Sequence, residues 1–214
     1  MVAIVDYGMG NLANVKRACL SFGLEAEIVS GPERLARADK IMLPGVGAFG
    51  RAMRRLNSSG LSQIITRRIM QGVSFLGICL GMHLLFEHSQ ESPGVKGLGV
   101  LKGGVVRLNE KQAKVPHMGW NNVRKTGSIR QKRENILKGV KDGEYFYFCH
   151  SYYVAPKDKA IISMVCDYGT TIPAIVIKKN IIGIQFHPEK SQDSGLRVLA
   201  NFLDYCCPKT KNNP

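Results

Sequence analysis

The sequence predicts an α/β fold, with a parallel sheet covered by helices on both faces and continued by antiparallel strands. In the first half, short apolar runs alternate with stretches of helical periodicity, the signature of strand–helix repeats around a parallel sheet. From Gly99 onward short β-like runs dominate, which suggests an antiparallel extension of that sheet. The 214 residues, 44% hydrophobic and including 23 glycines, suffice for one domain with a full core.

Taken in order, Val2–Val5 reads as the first strand and Asp6–Asn11 as a turn. Leu12, Val15, Cys19 and Phe22 then share one helical face, closed by Gly23, with Asn11 as the helix N-cap. Glu25–Val29 is a second strand before Gly31-Pro32. A third, Lys40–Leu43, runs into Pro44-Gly45-Val46-Gly47. Helical stretches over Ala48–Leu56 and Leu61–Met70 precede a buried strand, Val73–Ile78. Beyond it Met82, Leu85 and Phe86 recur at helical spacing. The later runs are Gly104–Leu108, Tyr145–Cys149, Ile161–Cys166, Ile172–Lys178 and Ile181–Phe186, followed by a helix over Arg197–Tyr205. No linker or internal repeat divides the chain. Residues 1–207 read as a single domain and 208–214 as a disordered basic tail.

Composition narrows the function. Thirty Lys and Arg against sixteen acids give a formal charge of +14 and a pI near 9.7. No recognition-helix pattern, RNA-binding signature or zinc spacing accompanies that charge. A basic face meeting solvent or an acidic partner protein is favoured over nucleic-acid binding. There is no bilayer-length apolar run and no signal-peptide pattern, so a cytoplasmic protein with no membrane partner is expected. The six cysteines form no C-x-x-C pair, which favours free thiols and argues against a metal site. Gly8-Met9-Gly10 lacks the third glycine of a dinucleotide-binding turn, and no acidic residue lies at the right distance. No cofactor is expected.

The informative segment is "GICLGMHLLF", residues 77–86. It places Cys79 on a tight strand-to-helix turn, where the side chain would stand above the sheet beside the N–H groups of a helix start. A cysteine there is either a small buried apolar residue or a nucleophile. A nucleophile needs a base. "QFHPEKS" supplies one: His187 ends an apolar strand, Pro188 turns the chain, and Glu189 can lie on the same side as the imidazole. A carboxylate on one ring nitrogen fixes the tautomer and leaves the other to take the thiol proton. Cys79, His187 and Glu189 thus read as a catalytic triad.

With "GICLGMHLLF" and "QFHPEKS", the segments "IVDYGMGNLANV", "LPGVGAFG", "PHMGWN", "YFCHSYYV" and "CDYG" resemble, in that order, the class I (triad) glutamine amidotransferases. Within them they resemble the glutaminase subunits of imidazole glycerol phosphate synthase. The resemblance spans nearly the whole chain and omits only the tail. It implies a three-layer α/β/α, flavodoxin-like mixed sheet with an antiparallel extension. It also implies that glutamine is hydrolysed to glutamate and ammonia. Cys79 would attack the side-chain amide, with His187 as base and Glu189 orienting it. Leu80 N–H and the Val46–Gly47 loop would hold the oxyanion. His83, His150, Ser151 and Tyr152 would contact the substrate, although most relatives carry glutamine where this chain has His83. His117, Met118 and Trp120 would face the partner. That partner is a (β/α)8-barrel cyclase (HisF-like), forming a heterodimer that makes imidazole glycerol phosphate and an aminoimidazole ribotide in histidine biosynthesis. A paralogous amidotransferase serving amidino-sugar synthesis is the alternative.

Overall fold

The computed structural model describes residues 1–21, 23, 25–127 and 135–204. Strands β1 (Val2–Val5), β2 (Ala26–Val29), β3 (Lys40–Gly45) and β4 (Ser74–Cys79) alternate with helices α1 (Leu12–Leu20), α2 (Pro32–Leu35), α3 (Phe49–Ser58) and α4 (Leu61–Met70). After α5 (Leu80–His83) come β5 (His88–Ser89), β6 (Gly103–Arg107), β7 (His117–Lys125), β8 (Glu144–His150), β9 (Tyr152–Pro156), β10 (Ile162–Asp167), β11 (Thr171–Lys178) and β12 (Ile181–Ile184). Helix α6 (Gln192–Asp204) closes the described chain. Nine strands form one mixed sheet in the order β2-β1-β3-β4-β12-β11-β10-β7-β8, parallel as far as β12 and antiparallel from β11 onward.

Side-chain alternation divides the core between the two faces of the sheet. Ile4, Met42, Leu76 and Ile78 pack with Val15 and Cys19 of α1 and Val198 and Phe202 of α6. Ala3, Val5, Ile41, Leu43 and Phe75 pack with Met53 and Leu56 of α3 and Ile64 and Ile65 of α4. Each large side chain so buried contributes about 1.5–3 kcal/mol. The strands between the helix layers are apolar on both faces, as a covered parallel sheet requires. Asn11 caps α1, its side-chain oxygen accepting from Asn14 N–H at 3.3 Å. No described helix is long and apolar enough to cross a membrane.

Two expectations are corrected, and one strand was not anticipated. The run Gly104–Leu108 does not extend the main sheet: β6 pairs with β5 and β9 in a separate three-stranded sheet. The helix after Cys79 is a single turn. The carbonyls of Leu84, Leu85 and Phe86, which a longer helix would use, accept instead from Leu98 N at 2.8 Å, Leu101 N at 3.0 Å and Gly99 N at 3.3 Å. The strand not anticipated is β7, which begins at His117 within "PHMGWN" and pairs with β8 from His117↔His150 to Val123↔Glu144. Phe22, Tyr205, Cys206, Cys207 and the tail 208–214 lie outside the described residues.

Candidate active site

Parallel pairing of β3, β4 and β12 sets the site. Gly45 lies beside Cys79 and Ile184 beside Ile78. The Gly45–Gly47 loop, the cysteine turn and the His187 segment therefore leave the sheet at the same edge. Cys79 has φ 53° and ψ −110°, a left-handed conformation that costs a non-glycine residue about 1–3 kcal/mol. The flanking glycines make the turn possible. A Cβ on Gly81 would overlap the Leu43 carbonyl, and one on Gly77 would lie 2.6 Å from Gly81 O. Helix α3 starts beside this loop, its first N–H groups held by the Glu91 carboxylate (Phe49 N, 2.7 Å) and Ser92 Oγ (Gly50 N, 3.0 Å).

The structure brings Cys79, His187 and Glu189 together. The Cys79 side chain lies close enough to the His187 ring to raise its pKa, and the ring's Nδ1 is 2.9 Å from Glu189 Oε1. All three are buried at the side chain. With Nδ1 committed to the carboxylate, Nε2 is the nitrogen left for the sulfur. Burial alone would lower the His187 pKa, but hydrogen bonds to Cys79 and Glu189 and the negative charge of both carry it up to about 10. The ring is thus an imidazolium at neutral pH. The backbone around it is fixed: His187 N–H donates to Tyr147 O at 2.9 Å. Ser191 Oγ donates to His187 O at 2.7 Å while accepting from Tyr147 N–H at 2.9 Å.

The remaining expected residues divide. Leu80 follows the sulfur directly at the start of α5. Val46 is 47% exposed, and Gly47 has φ 96°, which glycine adopts without strain. Ser151 and Tyr152 are partly exposed at the end of β8 and the start of β9. His150 is buried, and its ring is occupied: Nδ1 donates to Tyr152 O at 2.9 Å and Nε2 accepts from His117 Nδ1 at 3.0 Å. Only backbone is left there for a substrate.

His117 is a correction. It is buried between the rings of Phe148 and Tyr168, at 4.7 and 4.0 Å, so it does not face a partner. Its neighbours on the opposite face of β7 are open, Met118 at 62% and Trp120 at 46% exposure. His83 is also a correction. Its ring is buried with Nε2 2.9 Å from Gln185 Oε1, so that nitrogen is spent inside the protein rather than on substrate.

Sequence reasoning missed Tyr7 and Gln185. The Tyr7 hydroxyl is buried against Gly45 with no partner among the described residues. Burial first, and the charge of Cys79 second, push it well above the usual phenol range. Nothing in the sequence marks it. Gln185 is fully buried with Nε2 3.9 Å from Cys79 Sγ, and its i, i+2 relation to His187 was the available signal.

These buried imidazoles make stability pH-dependent. Burial lowers His83 and His117 to about 4, and His150 is held well below its ordinary value by burial and the neighbouring imidazoles. Between pH 6.5 and 4 the unfolded chain binds protons that these rings refuse, so stability falls on acidification. His83 alone accounts for roughly 3 kcal/mol across that window. His187 has the opposite sign: its contribution is complete below pH 6.5 and fades as pH rises toward about 10. Urea midpoints are expected to drop markedly from pH 7 to pH 5; a flat profile would show that the rings protonate freely in the folded state.

The glutamine amidotransferase class-I family matches residues 3–206. Among curated relatives, "Imidazole glycerol phosphate synthase subunit HisH" of Pyrococcus furiosus is 48% identical over 202 residues, covering 94% of this chain and 97% of its own. The protein of that name from Caldanaerobacter subterraneus subsp. tengcongensis is 46% identical over 203 residues, covering 94% and 97%. A solved structure described as a glutamine amidotransferase superposes with a TM-score of 0.74 at 19% identity, covering 95% of this chain and 98% of that one. This last likeness concerns the fold alone. With the cysteine turn and the His187–Glu189 pair at one sheet edge, the chain belongs to the glutamine amidotransferase class-I family and, within it, to the HisH family.

Proposed function

We propose that this chain is the glutaminase subunit of an imidazole glycerol phosphate synthase, hydrolysing glutamine and passing ammonia to a cyclase in histidine biosynthesis. The observation that carries the reading is the buried Cys79–His187–Glu189 line, assembled from residues 108 and 110 positions downstream of the sulfur. The anionic Cys79 sulfur attacks the glutamine Cδ. Nε2–H of the His187 imidazolium gives its proton to the departing nitrogen, and ammonia leaves with a glutamyl thioester behind. His187, now neutral, takes a proton from water as that water attacks the thioester, releasing glutamate and restoring the ion pair. Glu189 keeps the ring in one tautomer throughout. The oxyanion is held by Leu80 N–H and the Val46–Gly47 loop, each such donor contributing about 10²–10³ in rate.

Ammonia set free in water would be protonated, so its acceptor must dock over the site. Met118, Trp120 and Tyr145 are exposed on the outer face of β7 and β8, and Met118 pairs across the ladder with Cys149, whose carbonyl lies 3.9 Å from the sulfur. This face is our candidate for the (β/α)8-barrel partner, with the surplus of basic residues steering an acidic surface toward it. The names of the relatives favour the histidine pathway over the amidino-sugar alternative. Glutamate release is expected to rise at least tenfold when the barrel cyclase and its nucleotide substrate are added. No hydrolysis under either condition would reduce the chain to a binding subunit.

A further inference from the structure

The sulfur has a neutral neighbour as well as the imidazolium. Gln185 follows Ile184 at the end of β12, and the Ile184↔Ile78 pairing sets it beside Cys79 on the next strand. Its amide is fully buried, a placement that costs about 1–3 kcal/mol for each polar group left without a partner. Both ends are occupied: Oε1 lies 2.9 Å from His83 Nε2 and Nε2 lies 3.9 Å from Cys79 Sγ. His83 is four residues past the cysteine, one turn along α5, so its ring comes back over the end of the strand.

Cys149 O, 3.9 Å from Sγ, accepts a proton from the sulfur only while it is a thiol; with the sulfur as the nucleophilic anion the order of donors and acceptors has one solution. An anionic sulfur only accepts, so Gln185 turns its N–H₂ to Cys79 and its carbonyl to His83. That carbonyl needs a donor, so the neutral His83 ring carries its proton on Nε2. The opposite tautomer would flip the amide and set its carbonyl oxygen against the sulfur. We propose that His83 and Gln185 form a positioning pair that holds an amide N–H on the Cys79 sulfur and favours its anionic form. The proposal rests on Cys79 as the nucleophile and extends that role. The ionisable groups around the sulfur are Tyr7 beyond β1, His83 on α5, His150 on β8, and His187 and Glu189 beyond β12. Gln185 differs from all of them in supplying a fixed dipole that does not titrate.

The test is the pH dependence of Cys79 alkylation by iodoacetamide in the full chain, read on the Cys79 peptide by mass spectrometry. His83→Phe and Gln185→Met are each expected to raise the midpoint by about one pH unit, a tenfold slower reaction below it. His83→Gln, which keeps a side-chain N–H donor, is expected to return the midpoint to that of the parent. An unchanged midpoint in folded His83→Phe overturns the pair. A measurement without these variants guards against misfolding. In ¹⁵N-labelled parent protein the Gln185 side-chain amide resonances are expected to move with the alkylation midpoint, and to stay fixed in Cys79→Ser. Resonances that ignore the sulfur's titration overturn the proposal. Alkylation does not read glutamine hydrolysis: an unshifted midpoint in an active glutaminase removes only the positioning pair, whereas an inactive chain with the shift present removes only the glutaminase role.

Discussion

Replacing Cys79 with alanine is expected to lower glutamine-dependent glutamate release by at least about 10⁴, while a complex with the proposed cyclase is expected to keep turnover on added ammonium salts. The asymmetry is the informative part. The side chain is small and nearly buried, so alanine leaves the turn intact and takes away only the atom that His187 and Gln185 surround. Ammonia-dependent synthesis bypasses that atom altogether. Residual hydrolysis within tenfold of the parent would mean that water reaches glutamine without the thioester, and the triad would lose its role. Loss of the ammonia-dependent reaction as well would point to a damaged interface instead.

Gly81→Ala is expected to destabilise the fold by about 3 kcal/mol or more and to abolish hydrolysis in whatever folds. The added methyl falls on the Leu43 carbonyl, and Leu43 cannot retreat without giving up its place beside Gly77 in the β3–β4 ladder. Neither side is the end of a flexible side chain, so the strain has nowhere to dissipate. The control is Gly127→Ala, where no atom of the described residues lies within 4 Å of the new methyl and little change in the urea midpoint is expected. Equal midpoints for the two variants would contradict the close approach that defines the turn.

How far the sequence could be read depended on what held each segment. The strands β1, β3, β4 and β11 are apolar on both faces, so their composition alone announced them. Strand β7 was obscured by Gly119 and two asparagines, residues poor in β preference; its partner β8 holds it extended. The short α5 was over-extended because Leu85 and Phe86 have helical spacing, yet their carbonyls are claimed by a loop ten or more residues away. The same contrast holds in the site. Cys79, His187 and Glu189 were legible because their chemistry is written in residue type and local turn. His83, His117 and Gln185 were misplaced or missed because burial and pairing, which no local pattern encodes, decide what their polar atoms do.

The β4–β12 pairing also acts as the enzyme's gauge. Consecutive residues of a strand face opposite ways, so a slip of one position along this seam would swing Gln185 and His187 away from the thiol and present Phe186 to it, a greasy ring in place of two proton-bearing groups. Some hundred residues fold between the two strands, yet the distance from thiol to imidazole is set by this one seam, where Ile184 meets Ile78.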